Sequence, residues 1–397
     1  MIVRIVKFLL SLLVLILLID PSDRIFHLKI PAFILVIFGW LILKLTSKIK
    51  YYKENIIIIF FLIFITVFGI FTAIAQGGGY TDFAFAFGFL KSISILFLLI
   101  VVVDMNIDIG KYITNCSILI PLITIFIYFL PIYNVALFGQ VYNYLVIGTE
   151  TMMIANRDFY GYTVSMIYYK TSPMLVFPLS YYCSVIVREG FSVKKIILIS
   201  TFFICLIISG TRANMISAIC VLIYWIYIFL KERKNAFYSL VTLTLLFTAI
   251  TMFALSLSFE KKEASAETKH GHYVSLMDNF EEHPQYLLWG QGLGSRFYSI
   301  GKNGFTSQVE LTYIELIRYF GIPLGLFFLV LIIYPMINII VNKKINTYNR
   351  YIIPAFATYL FICGTNPLLV SSTGMLVMII MYSYIRMDFV QYNKKLE

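Results

Sequence analysis

Residues 194–231 read KKIILISTFFICLIISGTRANMISAICVLIYWIYIFLK. Two apolar runs, 196–210 and 213–230, meet at Ser209-Gly210-Thr211-Arg212, and each outer end is closed by lysine. At 1.5 Å of rise per residue, runs of this length approach the roughly 30 Å of a bilayer's hydrocarbon core, with only a tight turn between them. The segment therefore predicts a membrane hairpin. Similar runs recur along the chain, giving candidate spans at 3–19, 30–46, 55–75, 84–103, 113–133, 160–187, 196–210, 213–230, 236–257, 320–341, 351–369 and 374–389. The sixth is interrupted by Lys170-Thr171-Ser172-Pro173 and reads either as one span or as an interfacial helix followed by a short span. The composition agrees. Of 397 residues, 60% are apolar and 13% charged, about half the charge of a soluble domain. The mean hydropathy is +0.88. A soluble globular enzyme, a disordered chain and a one-helix anchored protein are excluded. The expected fold is an all-α polytopic membrane protein of about twelve transmembrane helices, one integral membrane domain over 1–397.

Charge orients this arrangement. The 31 basic and 20 acidic residues give +11, which the positive-inside rule explains without nucleic acid. Lys48/Lys50/Lys53, Lys111, Arg188/Lys194/Lys195, Lys231/Arg233/Lys234, Lys343/Lys344/Arg350 and Lys394/Lys395 all fall on one face when the N-terminus is placed inside. Both termini are then cytoplasmic. Arg4 and Lys7 before an apolar run resemble a signal peptide, but Ile19-Asp20-Pro21-Ser22-Asp23 offers no small-residue cleavage site, so 3–19 is read as the first span. The five cysteines are scattered through apolar stretches without a CxxC pair and read as core residues. Cytoplasmic connections are short, leaving no room for a nucleotide-binding domain. Two outer segments are long, 134–170 and 258–319, and long loops in compact proteins usually carry function.

The scarce polar groups narrow the search. Arg212 stands at the outer boundary, where a guanidinium either snorkels to lipid headgroups or holds an anion within the bundle. Its planar fork suits bidentate phosphate binding. In the second loop, Gly290-Gln291-Gly292-Leu293-Gly294-Ser295-Arg296 is either a plain glycine turn or a set of backbone N–H groups that cradles phosphate beside Arg296. Glu310 precedes the next helix, as a cap or as a general base. Glu315 and Arg318 lie three apart on one helix face, an ion-pair spacing. In the first loop, Asn156-Arg157-Asp158 precedes an apolar run, as a solvated helix cap or as a second charged site. His270-x-His272 lacks a third ligand at helical spacing, and no metal site is assigned.

Three segments in order, Ser209-Gly210-Thr211-Arg212, NFEEHPQYLLWGQGLGS at 279–295 and YIELIRYFGI at 313–322, with Asn156-Arg157-Asp158 as a weaker fourth, resemble the hallmark segments of the O-antigen polymerase and ligase superfamily. The resemblance implies a GT-C-like glycosyltransferase in the bacterial cytoplasmic (inner) membrane, working on the periplasmic or exterior face. Its donor would be an oligosaccharide on undecaprenyl pyrophosphate, so no nucleotide, metal or other cofactor is implied. Membrane lipids, a chain-length regulator and a flippase are the expected partners, and nucleic acid is not. The product would be O-antigen of lipopolysaccharide, capsule or exopolysaccharide. Ligases carry a His-Asn pair where this chain has Glu310-Leu311, which favours a repeat-unit polymerase over ligase-type transfer. The tandem arginine spacing of some polymerase loops is absent: neither Arg157 nor Arg212 has a glycine eleven positions on. On this resemblance Arg212, with Arg157 or Arg296, would bind the pyrophosphate, and Glu310 or Asp158 would accept the proton of the attacking hydroxyl. The long second loop would form a lid. The rival is a lipid-linked oligosaccharide flippase, against which stand the lack of an internal repeat and of midplane charge.

Overall fold

A computed structural model describes residues 2–45, 52–76, 81–159, 162–232, 264–342, 345 and 349–386. Its elements in chain order are helices α1 (Ile2–Ile19), α2 (Lys29–Lys44), α3 (Lys53–Ala75), α4 (Phe83–Asp104), α5 (Ile109–Tyr133) and α6 (Val135–Gly148). A hairpin follows, β1 (Met152–Phe159) and β2 (Tyr162–Tyr169), then α7 (Val176–Glu189), α8 (Val193–Ile208) and α9 (Arg212–Glu232). Next come α10 (Ala264–Glu282), the single turn α11 (Tyr286–Trp289) and a small hairpin, β3 (Phe297–Ser299) with β4 (Gly304–Thr306). The long α12 (Thr312–Val341), α13 (Ile352–Gly364) and α14 (Ser372–Arg386) complete the fold.

The protein is a predominantly helical, multi-pass membrane protein. Among the described residues six helices are long and apolar enough to cross a bilayer: α1, α3, α4, α5, α9 and α12. They coincide with the expected spans 3–19, 55–75, 84–103, 113–133, 213–230 and 320–341. Their outward faces carry large apolar side chains at helical spacing, such as Phe60, Phe64 and Phe71 on α3, a pattern suited to lipid rather than water. The expected span 236–257 lies outside the described residues.

One expected span is corrected. Residues 160–187 are not a continuous helix: Tyr162–Tyr169 is a strand and helix resumes only at Val176. The run Tyr-Thr-Val-Ser-Met-Ile-Tyr-Tyr is rich in β-branched and aromatic residues, which pack well on a pleated surface. It pairs antiparallel with β1 from Met152↔Tyr169 to Phe159↔Tyr162. The two long loops are likewise structured: 134–170 holds α6 and this hairpin, and 258–319 holds α10, α11 and the β3–β4 hairpin. The helix α13 is also shorter than the expected 351–369, and of the expected 374–389 the residues up to Arg386 are described and helical.

The chain forms two compact units. The first comprises Met1–Leu43, Gly110–Lys261 and Asn346–Ile362. Buried hydroxyls tie it together. Ser180 Oγ on α7 donates to the carbonyl of Tyr351 at 2.7 Å and accepts from the Trp225 indole of α9 at 2.9 Å. Thr171 Oγ1 donates to the Leu18 carbonyl at 2.7 Å, and the Tyr169 hydroxyl to that of Ile19, pinning the hairpin's foot to the end of α1. The carboxylate of Asp20 accepts from the amides of Arg24, Ile25 and Phe26, each at 2.9 Å, and so shapes the turn into α2.

The second unit comprises Lys44–Ile109, Lys262–Ile345 and Cys363–Glu397. Gly321 (φ 75°, ψ 170°) breaks α12 into two helical stretches. That positive φ is open to glycine and strained for other residues. The buried Leu276, Phe297 and Val309 join α10 to the β3–β4 hairpin and the approach to α12, forming a small apolar core.

Candidate functional site

In the first unit the site is built around the α8–α9 turn. Helix α8 ends where Ser209 Oγ donates back to the Leu206 carbonyl at 2.6 Å. Gly210 follows with φ 67°, and a Cβ there would stand 2.5 Å from Cβ of Met166 on β2. The glycine thus lets the turn lie directly against the hairpin. The first residue of α9 is Arg212, so a cationic residue stands at the positive end of the helix, a combination that favours an anion. Asn214, fully buried, donates from Nδ2 to Ser209 Oγ at 2.9 Å. Its Oδ1 and the hydroxyl of Thr211 are buried without a hydrogen-bond partner among the described residues. Leaving two such groups unsatisfied costs about 1–3 kcal/mol each unless a ligand or water meets them. The turn therefore combines a cationic residue, the start of a helix, and two buried polar atoms without a partner among the described residues.

The hairpin supplies the neighbouring charged segment. Asn156, Arg157 and Asp158 lie on β1, opposite Ser165, Val164 and Thr163. Sequence reading places this triplet ahead of a helix; the structure places it on a strand instead, because the run after it pairs as β2. Ser165 Oγ donates to Asn156 Oδ1 at 3.0 Å across the strands. Met166, which touches Gly210, is paired with Ala155, two residues before Arg157. The structure thus brings the turn that carries Arg212 to the hairpin that carries Arg157 and Asp158. Loop-to-hairpin contact of this kind is invisible to a linear scan, although glycine beside Arg212 was its signal.

Arg296 and Glu310 belong to the second unit. Arg296 is half exposed and pairs with Asp82 at 3.5 Å. Glu310, also half exposed, pairs with Lys269 of α10 at 3.5 Å. Asp82 caps α4 by accepting from the Phe85 amide at 3.0 Å. That bond, together with Ser307 and Arg296, holds its carboxyl below the usual range. The glycine-rich loop has a structural role. Gln291 N–H donates to the Arg318 carbonyl at 2.6 Å and Leu293 N–H to the Gly69 carbonyl at 2.8 Å, so these two amides are not free to cradle phosphate. A Cβ on Gly292 would fall 2.2 Å from the Ala73 nitrogen: the glycines let this loop thread against α3.

The centre of that unit is Arg318, which sequence reading took as one half of a simple ion pair. It is completely buried. Nη1 donates to Gln291 Oε1 (2.9 Å) and the Ser295 carbonyl (2.8 Å), and Nη2 to the Ser307 carbonyl (2.8 Å) and Glu315 Oε1 (2.9 Å). The rings of Phe297 and Tyr319 lie 4.6 and 4.7 Å from the guanidinium carbon. Glu315 in turn accepts the Val309 amide at 3.0 Å. One arginine therefore gathers 291–309 onto α12. His272, also buried, shares a 2.6 Å hydrogen bond between Nδ1 and Ser299 Oγ. Burial, and then the charge of Lys302, lower its pKa. Among the described residues no group of three or more His, Cys, Asp or Glu side chains is arranged to hold a metal. Neither a scan of protein-family models nor a search of curated proteins finds a match to this chain.

Proposed function

We propose that the protein is a glycosyltransferase of the O-antigen polymerase type. It would join oligosaccharide repeat units carried on undecaprenyl pyrophosphate into a surface polysaccharide, at the outer face of the bacterial cytoplasmic membrane. Twelve spans with both termini inside belong to the same reading. The observation that carries it is the α8–α9 turn: Arg212 and the α9 N-terminus supply positive potential for a pyrophosphate, while the unpartnered Thr211 hydroxyl and Asn214 carbonyl suit the hydroxyl-rich sugar beside it. A metal ion would gain little from such a set, and a purely apolar ligand would leave it unsatisfied.

The chemistry balances without a cofactor. The hydroxyl oxygen of the acceptor sugar attacks the anomeric carbon of the donor, and the bond from that carbon to the pyrophosphate oxygen breaks. Undecaprenyl pyrophosphate departs with the electron pair, and the hydroxyl proton passes to a carboxylate. Asp158, on the hairpin that meets the Arg212 turn, is the proposed base. Preorganised positive charge at the leaving group typically removes about 3–4 kcal/mol of barrier per donor group. The test is Arg212→Ala, with Arg212→Lys beside it, in cells deleted for the native gene. The expected result is surface glycan stopped at a single repeat unit with normal protein level, and partial polymer with lysine. Wild-type polymer length from Arg212→Ala refutes the assignment. Loss of every surface repeat unit would instead indicate a flippase.

A further inference from the structure

At the opposite end of α8 and α9 from the Arg212 turn, the first unit holds a cavity of about 250 Å³. Its walls come from α7, the α7–α8 turn, α8 and α9, and include Ile186, Phe191, Ile196, Leu222, Trp225 and Phe229. Phe191 and Phe229 meet edge to face at 5.4 Å. The lining is aliphatic and aromatic, and the volume is below the range usual for drug-sized ligands. A sugar or nucleotide would forfeit its hydrogen bonds here, whereas a hydrocarbon chain would not.

The mouth has a different character. Arg188 ends α7, Lys194 and Lys195 open α8, and Lys231 stands in the last turn of α9. Arg350 lies 5.4 Å over the Trp225 ring and pairs with Glu232 at 2.7 Å. Glu189 takes both Arg188 (2.6 Å) and Lys195 (3.1 Å). Among the described residues at this end the cations outnumber the carboxylates, Glu189 and Glu232, and Lys194 and Lys231 are in surplus. An apolar slot beneath an excess of positive charge is complementary to one class of molecule, an acyl chain with an anionic head.

We propose that this cavity is a binding site for an anionic phospholipid, with one acyl chain between α7, α8 and α9 and the phosphate at Lys194 and Lys231. The site is separate from the Arg212 turn and does not depend on the chemistry proposed above, only on the orientation that places the N-terminus inside. With the N-terminus inside, it faces the inner leaflet, and the lipid would brace α8 and α9, which carry the Arg212 turn at their other end, against α7.

Trp225 provides the probe, since the chain has three tryptophans. In full-length protein with Trp40→Phe and Trp289→Phe, Trp225 alone fluoresces. Reconstitution into phosphatidylcholine nanodiscs with increasing fractions of brominated phosphatidylglycerol should quench it at several-fold lower mole fraction than brominated phosphatidylcholine. Lys194→Gln and Lys231→Gln should each erode that preference by about fivefold at low salt, from roughly 1 kcal/mol per charge, and raised salt should shrink it too. Leu222→Phe, which fills the slot, should reduce quenching by both lipids while the protein stays monodisperse. Equal quenching by the two lipids, or a preference indifferent to both lysine changes, overturns the proposal. So does an absence of quenching by either.

Discussion

Gly210 and Met166 are packed so closely that a single added methyl on the glycine would stand 2.5 Å from the methionine's Cβ and 2.7 Å from its sulfur. Through this contact the turn between α8 and α9 and a strand more than forty residues earlier become one surface. Arg212 is two residues beyond the glycine, and Arg157 lies two beyond the residue paired with Met166.

Gly210→Ala should therefore separate the turn from the hairpin. It meets both the clash and the cost of φ 67° for a residue with a Cβ, together about 2–4 kcal/mol. Thermal unfolding should shift down and polymer yield should fall. Met166→Gly in the same chain should recover part of both, because it removes the clash but not the strained dihedral. Full tolerance of Gly210→Ala would disprove the contact.

Thr211→Val separates function from stability. The hydroxyl makes no hydrogen bond among the described residues, so its replacement by a methyl should leave stability unchanged or raise it by up to about 1–3 kcal/mol, the cost of the unpaired buried group. Glycan polymerisation in cells should drop by at least about tenfold if that hydroxyl meets substrate. A stability loss with unchanged polymer would reverse the assignment.

Arg318→Met should be among the most damaging single changes in the second unit. It leaves Glu315 buried without its cation and frees two carbonyls, Ser295 and Ser307, that now accept from the guanidinium. Breaking a buried pair in this way costs about 3–5 kcal/mol. Proteolysis within 285–310 should accelerate sharply. Adding Glu315→Gln should cost less than the sum of the two single changes, since both act on one network.

His272 predicts a pH response with a definite sign. Its pKa in the folded protein lies below the ordinary 6.5, so the unfolded chain binds the proton more readily. Stability of this region is complete above about pH 6.5 and declines as pH falls toward the lower folded value. Hydrogen exchange of the α10 amides should be faster at about pH 5.5 than at about pH 7.5, beyond the intrinsic pH dependence of exchange. His272→Asn should flatten that difference.

Hydropathy made the long helices legible because a run of apolar residues of that length has few other stable homes. It misread 160–187 for an equally physical reason. Tyr162–Tyr169 is nearly as apolar as a span, and composition alone does not separate a strand packed in a unit from a helix in lipid. The candidate residues were legible only as types. Arg212 stood out because it interrupts apolar sequence, yet its link to β2 depends on a glycine–methionine contact that no spacing rule contains. Arg318 was harder still: its i, i+3 partner Glu315 was visible, but three of its four hydrogen-bond acceptors lie 11 to 27 residues upstream.

The Arg318 cage also bears on how this segment is able to change over evolutionary time. Two of its hydrogen bonds go to main-chain carbonyls, those of Ser295 and Ser307, which any residue provides. Those two contacts are consequently indifferent to the side chain at either position, while the serine hydroxyls make bonds of their own to Gln291 and Asp82. Heritable variation in this loop can then accumulate at its surface, with the cost of change concentrated on Arg318, Glu315 and the glycines that let the chain pass.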